Sequence, residues 1–213
     1  MLNSLTSFSR LVVKQSFELA ELFGFETRNK YRICNEHGED VAFAAEQQKG
    51  FIGILFRQFL GHWRTFDLHF FDTRRQEFMV AHHPFRWYFQ RLEVREPQGR
   101  RLGVIERRFA ILSKRFVVED VNGRVLMDVY SPFFRFWTFP FTTQGRERAR
   151  ILKRWSGVGY EMFTDKDSFL VEYLDSSLSV DERGLVLSAA IYIDLKYFER
   201  KGNGGGLNAL FDS

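Results

Sequence analysis

The 213-residue sequence predicts a mainly β protein, a closed antiparallel barrel of about twelve strands around a buried hydrophobic helix near the C-terminus. Two observations lead to this fold class. A segment that alternates apolar and polar residues, then a tight turn, then a second alternating segment, recurs six times. A late helical segment is apolar on every face, which is typical of a helix that is covered on all sides. A barrel this wide leaves an interior that such a helix can fill.

Residues 1–23 are predicted to form an N-terminal amphipathic segment ahead of a barrel domain spanning residues 24–201. Apolar residues between Leu11 and Phe23, interrupted by Lys14 and Glu18, predict a short helix that ends at Gly24. Such a helix either docks on the domain or contacts a membrane. The segment lacks the basic start, continuous apolar run and cleavage site of a signal peptide, so secretion is not expected.

Six hairpins are predicted along the rest of the chain, because each alternating pair is joined by a turn rich in glycine, asparagine or acidic residues. They pair residues 30–35 with 39–46, 64–71 with 76–82, 90–94 with 101–108, 114–120 with 124–130, 135–141 with 146–154, and 159–163 with 168–173. Closing these strands into one barrel removes the exposed sheet edges.

The predicted helix covers about residues 180–199 and begins with a capping box, Ser179 and Glu182. A helix needs about 20 apolar residues to cross a bilayer, whereas Asp194 and Lys196 interrupt this one. We therefore expect the helix to lie inside the barrel, with residues 202–213 forming a flexible glycine-rich tail.

The composition limits the function classes only broadly. Lysine and arginine exceed aspartate and glutamate by 31 to 27, a net charge of +4 that favours anionic lipid or nucleic acid without choosing between them. Cys34 is the only cysteine, so we expect a small buried side chain, no internal disulfide and a non-oxidising compartment. The sequence contains no nucleophile elbow, Walker loop or HExxH motif, and we expect no enzyme activity.

Three stretches together resemble the phospholipid scramblase family, which shares the Tubby-like (LURP-one-related) fold. They are LVVKQSFELAELFGFETRNKYRI, QRLEV with its proline turn, and TDKDSFLVEYLD. The resemblance runs from about Leu11 to Glu199 and implies a twelve-stranded barrel around a hydrophobic C-terminal helix. It also implies calcium-stimulated, bidirectional, ATP-independent movement of phospholipid between leaflets, by a protein that is cytoplasmic and peripherally membrane-associated.

The resemblance further implies a calcium site. The matching positions are Asp165, Asp167, Ser168, Phe169 and Asp175. Ser168 replaces the family's asparagine, and the proline before the last aspartate is lost together with one residue. Calcium takes six to eight oxygen ligands, so a weak site is expected. The alternative is a polar turn, followed by a strand, that binds no ion.

Where family members often carry a cysteine cluster, this chain reads HHPFRWYFQRLEV. Lipidation at that place is excluded because no thiol is present. Trp87 and Tyr88 are instead candidates for an interfacial anchor, since amphipathic rings favour the depth of lipid headgroups. The alternative is that these rings belong to the core.

The densest basic stretch offers candidate lipid contacts. They are Arg146, Arg148, Arg150, Lys153 and Arg154. The three alternating arginines, Arg146, Arg148 and Arg150, are predicted to share one strand face that attracts anionic phospholipid. The same row could neutralise nucleic-acid phosphates, or form a solvated face paired with local glutamates.

Three functional hypotheses follow. The first is a scramblase-like protein that binds anionic phospholipid membranes and facilitates lipid movement, with calcium as its expected cofactor. The second is a lipid-binding regulatory or scaffold module without transport activity, and the third is a basic nucleic-acid-binding domain. No small-molecule substrate is inferred.

Overall fold

The computed structural model describes residues 1–16, 27–47, 65–84, 90–108, 113–132, 137–154 and 168–197. A short 3₁₀ helix, Leu2–Ser7, precedes twelve strands and one α-helix. The strands are β1 Arg10–Gln15, β2 Thr27–Cys34, β3 Asp40–Gln47, β4 Phe66–Asp72, β5 Glu77–His83, β6 Arg91–Arg95, β7 Arg101–Arg108, β8 Ser113–Glu119, β9 Val125–Pro132, β10 Thr138–Thr143, β11 Arg146–Arg154 and β12 Ser168–Tyr173. The helix, α1, is Val180–Tyr197.

The strands form a closed antiparallel barrel in which each strand pairs with the next and β12 pairs with β1. The predicted fold class is therefore confirmed. Because strand direction alternates, the tight turns after β2, β4, β6, β8 and β10 lie at one end, which we call the hairpin-turn end. The last strand, β12, also finishes there, so α1 enters the barrel from that end.

The predicted N-terminal helix is wrong over its described part, because Arg10–Gln15 is strand β1. Val13 lies opposite Phe169 of β12 on one side and Ile33 of β2 on the other. The barrel can close only through this strand, so long-range pairing outweighs the helical spacing of the apolar residues. The rest of the predicted helix, residues 17–23, lies outside the described residues.

The sixth predicted hairpin, residues 159–163 with 168–173, is also wrong. Both edges of β12 are occupied, since Val171 lies between Ile151 of β11 and Leu11 of β1. The strand that pairs with the free edge of β12 and completes the twelve-stranded barrel is therefore β1. Residues 159–163 lie outside the described residues. The other five hairpins are confirmed as β2–β3, β4–β5, β6–β7, β8–β9 and β10–β11.

Every residue of α1 from Glu182 to Leu195 is buried. The side chains against it come from strands spread around the barrel, among them Met79 of β5, Phe116 of β8 and Tyr173 of β12. This enclosure explains why the helix has no polar face. Gly184 marks a close approach of the helix to the barrel wall, because a Cβ there would lie 3.1 Å from both the Leu102 and Met79 side chains.

The predicted capping box at the start of α1 is confirmed. The Ser179 N–H donates to Glu182 Oε2 at 2.8 Å, and the Glu182 N–H donates to Ser179 Oγ at 3.2 Å. Two amides at the start of the helix are thus satisfied by side chains. Within the ranges that the structure describes, no helix has the length and apolar character needed to span a bilayer.

Candidate functional site

The predicted calcium segment is only partly described. Asp165 and Asp167 lie outside the described residues, whereas Ser168 and Phe169 begin β12. The Ser168 hydroxyl is buried and has no hydrogen-bond partner among the described residues. The Phe169 ring lies in the barrel interior, where Lys153 Nζ is 4.9 Å from its centroid.

Asp175 lies in the loop between β12 and α1. Its carboxylate accepts hydrogen bonds from the Ser177 N–H at 2.9 Å, from Ser177 Oγ at 2.6 Å and from Arg148 Nε at 3.0 Å. The Ser177 hydrogen bonds, together with the Arg148 guanidinium, hold the pKa of Asp175 well below its ordinary value. The carboxylate therefore shapes the loop that leads into the helix.

These contacts do not fit a calcium ligand at Asp175. A bound cation would compete with the Arg148 guanidinium, which also donates to Glu182. Among the described residues, no three His, Cys, Asp or Glu side chains converge as a metal site would require. Calcium binding through Asp165 and Asp167 stays a prediction.

The prediction that three alternating arginines share one face of β11 is wrong. A β-bulge shifts the register, because Phe141 lies opposite Ala149 while Thr142 lies opposite Glu147. Arg150 therefore reaches the Glu147 carboxylate, with Nε to Oε1 at 2.6 Å and Nη2 to Oε2 at 3.0 Å. Arg148 extends instead to the loop before α1. The two arginines are thus held by carboxylates at different places.

Lys153 was predicted to lie on a lipid-contacting surface, but its side chain faces the interior and is 6% exposed. Its Nζ lies 3.6 Å from Asp194 Oδ1 of α1, while the Tyr31 hydroxyl donates to Asp194 Oδ2 at 3.0 Å. This group is a core ion pair that joins β11 to the helix. The side chain of Arg154, and all of Trp87 and Tyr88, lie outside the described residues.

The family model for Scramblase matches residues 1–200. The chain belongs to the scramblase family. This membership supports a scramblase-like role, and it agrees with the resemblance drawn from the three sequence stretches.

Similar curated proteins include phospholipid scramblase 1 of Rattus norvegicus, which is 31% identical over 95% of this chain and 63% of its own length. Phospholipid scramblase 1 of Homo sapiens is 28% identical over 95% of this chain and 67% of its own length. Altered inheritance rate of mitochondria protein 25 of Saccharomyces cerevisiae is 25% identical over 89% of this chain and 70% of its own length. This chain thus spans about two thirds of the length of these relatives. No solved structure matches.

Two buried polar groups of this scramblase-family chain were missed by sequence reasoning. Near the end of the barrel opposite the hairpin turns, Gln15 Nε2 donates to Asn29 Oδ1 at 3.0 Å, and Asn29 Nδ2 donates to Glu46 Oε2 at 2.6 Å. These side chains face inward, two residues along their strands from apolar core residues such as Val13 and Ala44. Alternation along each strand is the signal that could have placed them inside.

The second missed group is Arg183, which is buried at the start of α1. Its guanidinium donates to the carbonyls of Leu5 at 3.2 Å, Phe8 at 2.7 Å and Leu178 at 3.3 Å, and it packs on the Tyr173 ring. The arginine therefore fastens the N-terminal 3₁₀ helix to the hairpin-turn end of the barrel. Nothing in the local sequence distinguishes it from a surface arginine.

Exposed arginines lie around part of the hairpin-turn end. We call this set the arginine rim, and its members are Arg74, Arg75, Arg95, Arg101, Arg124 and Arg146. None of them has an ion-pair partner within the described part of the chain. Val121 and Val125, beside Arg124 in the β8–β9 hairpin, are 56% and 45% exposed.

Proposed function

We propose that this chain binds anionic phospholipid and facilitates bidirectional, ATP-independent movement of phospholipid between leaflets. The match of the scramblase family model over residues 1–200 carries the proposal. The names of relatives such as phospholipid scramblase 1 point to the same lipid class. Because the chain spans only part of those proteins, the activity is assigned here as our proposal.

The filled interior restricts the places where a phospholipid could contact the protein. Side chains from many strands pack against α1, and Tyr192 contacts both His83 and Phe116 across the barrel interior. A phospholipid cannot enter this space without displacing the helix, because protein cores are close-packed. We therefore assign lipid contact to the outer surface and the ends of the barrel. Exposed arginines there can attract headgroup phosphates, at about 1 kcal/mol for each cation near the membrane surface.

The enclosed helix also favours a second candidate function, a lipid-binding regulatory or scaffold module without transport activity. A protein with a closed, filled barrel can dock on a membrane without disturbing the bilayer. This candidate shares the lipid-binding step with the first, and only a measurement of lipid exchange between leaflets separates them.

A leaflet-exchange assay tests the proposal. Vesicles contain phosphatidylserine and a fluorescent phospholipid in both leaflets, and a membrane-impermeant reductant destroys the outer-leaflet signal. We expect the purified chain, without nucleotide, to expose the inner-leaflet signal to the reductant, while an encapsulated dye shows that the vesicles stay sealed. Flotation of the same preparation reports binding. Binding without exchange would support the scaffold function, and absence of both would refute the lipid proposal.

Calcium stimulation is proposed only through Asp165 and Asp167. We expect binding near millimolar calcium, as weak extracellular-type sites show. Titration calorimetry on the parent protein, with Asp167→Ala as the test variant, measures this directly. Asp175→Asn is the matched control because Asp175 is bound by Arg148 and Ser177. Equal heats of calcium binding for the parent and Asp167→Ala, or no heat of binding for either protein, would remove calcium from the proposal.

A further inference from the structure

We propose that the arginine rim docks the hairpin-turn end of the barrel on an anionic membrane surface. The inference rests on the proposed lipid binding and names the face that performs it. It follows from three properties, namely the surplus of positive charge in the turns, the absence of ion-pair partners for the rim arginines among the described residues, and the exposed valines among the cations.

The charge surplus is local. The four turn regions between β4 and β11, residues 72–76, 95–101, 120–125 and 143–146, contain seven arginines and three carboxylates. Two of those carboxylates bind the backbone of their own turns. Asp72 accepts from the N–H groups of Arg74 and Gln76, and Asp120 accepts from those of Asn122 and Arg124, each at 2.9 Å. They fix the turn conformation, as aspartates in such turns commonly do.

The third carboxylate, Glu96, is taken by an arginine outside the rim. Arg100 donates to both Glu96 oxygens at 3.0 Å and to the Asp181 carboxylate at 2.8 and 2.9 Å. Within the described part of the chain, none of these three carboxylates is bound by the side chain of a rim arginine. Lipid phosphates and carboxylates are the acceptors that such guanidinium groups bind in paired geometry.

The charge is also one-sided. The β2–β3 turn carries Glu36 and Glu39 with His37. Asp175, in the loop before α1, is bound by Arg148, and Asp181, in the first turn of α1, is bound by Arg100. The rim occupies the turns from β4–β5 around to β10–β11, whereas Glu36 and Glu39 lie in the β2–β3 turn. An anionic surface would thus be attracted to one side of the barrel end, which gives the docked protein a preferred orientation.

The exposed valines favour a bilayer over nucleic acid. Val121 lies in the β8–β9 turn and Val125 begins β9, so that Arg124 lies between them in the chain. Apolar side chains among cations are typical of proteins that lie on a membrane interface, since the apolar groups enter the headgroup region while the cations hold anionic lipids. A phosphate backbone would leave these valines in water.

The test compares two variants of equal net charge by flotation with phosphatidylserine vesicles. The rim variant carries Arg95→Gln, Arg101→Gln, Arg124→Gln and Arg146→Gln. The control variant carries glutamine at four partly or fully exposed arginines that have carboxylate partners. They are Arg10, Arg32, Arg108 and Arg115. Circular dichroism and urea unfolding first confirm that both variants fold.

We expect the rim variant to bind at least 30-fold more weakly than the parent, since each lost cation reduces binding about fivefold at low salt and screening lessens the sum. The control should stay within about threefold of the parent, because its arginines are already neutralised. Equal weakening of both variants would show that only net charge matters and would overturn the inference. A parent that fails to float refutes the proposed lipid binding itself. A parent that shifts DNA without floating refutes both and favours nucleic acid.

Discussion

Most basic residues of β11 and those of the arginine rim have different surroundings in the fold, although β11 is the densest basic stretch of the sequence and the rim is gathered from four separate turns. Arg148, Arg150 and Lys153 each lie within 4.0 Å of a carboxylate. The rim arginines have no carboxylate partner among the described residues. The same residue type thus stabilises the fold in one region and leaves charge available for a partner in the other.

The difference arises from what the neighbouring elements supply. Strand β12 and helix α1 follow β11 in the chain and bring Glu172, Asp175, Glu182 and Asp194 against it. The hairpin turns at the rim bring few carboxylates, and Asp72 and Asp120 bind backbone amides there. Charge density along a sequence therefore does not measure the charge that is available to a ligand.

Lys153→Met should lower the free energy of unfolding by about 3–5 kcal/mol, because it removes the lysine cation from beside the buried Asp194 carboxylate. Urea denaturation measures the loss. Adding Asp194→Leu should restore most of the stability, since removing both charges of a buried pair costs far less than removing one. A single variant within about 1 kcal/mol of the parent would contradict the core role of this pair.

Arg148→Met should lower the free energy of unfolding by about 2 kcal/mol, because charged hydrogen bonds to Asp175 and Glu182 are lost at a side chain that is only 16% exposed. Binding to anionic vesicles should not change. Urea denaturation and flotation of the same sample test both parts, and weaker flotation at full stability would place Arg148 among the lipid contacts instead.

Arg150→Met should cost less than about 1 kcal/mol, because its ion pair with Glu147 is 35% exposed at the arginine and screened by solvent. The variant should bind anionic vesicles with the same affinity as the parent protein, within experimental error. A clear fall in binding would mean that a paired surface arginine still contributes charge to the membrane, which would weaken the contrast with the rim.

Acid titration should give the smallest effect. The pKa of Asp175 lies below its ordinary value of 3.8, so its contribution to stability is present above about pH 4 and is lost as the pH falls through the folded-state pKa. The unfolding free energies of the parent and Asp175→Asn should therefore differ at neutral pH and converge in acid. A difference that stays constant from pH 7 to about 2 would contradict the ionised role of Asp175 in the loop.

Most of the fold could be predicted from local patterns. Tight turns between alternating segments specify five hairpins, and the all-apolar helix with its capping box specifies a covered element. Strand β1 was missed because its six residues, RLVVKQ, fit a helix or a strand equally well. Its assignment depends on partners far along the chain, such as Glu172 opposite Arg10.

The candidate site was less predictable because ion pairing between distant elements decides it. Alternation from Ala149 and Ile151 would have placed Lys153 inside, and the sequence carries that signal. The β-bulge at Arg148 interrupts the alternation of inward and outward side chains along β11, and distant carboxylates bind this arginine. Neither feature can be recognised in the local sequence. Arg146 was predicted as a lipid contact and is exposed, but its membership in a rim depends on which turns the barrel brings to one end.

The most direct test of the account is the orientation of the docked barrel. A fluorophore is attached at Asn122→Cys in the β8–β9 turn or at Tyr130→Cys, roughly 20 Å farther along β9, with Cys34→Ala removing the natural thiol. On phosphatidylserine vesicles that carry a quencher on their lipids, the account predicts strong quenching at residue 122 and little at residue 130. Quenching at residue 130 with none at residue 122 would contradict docking through the hairpin-turn end.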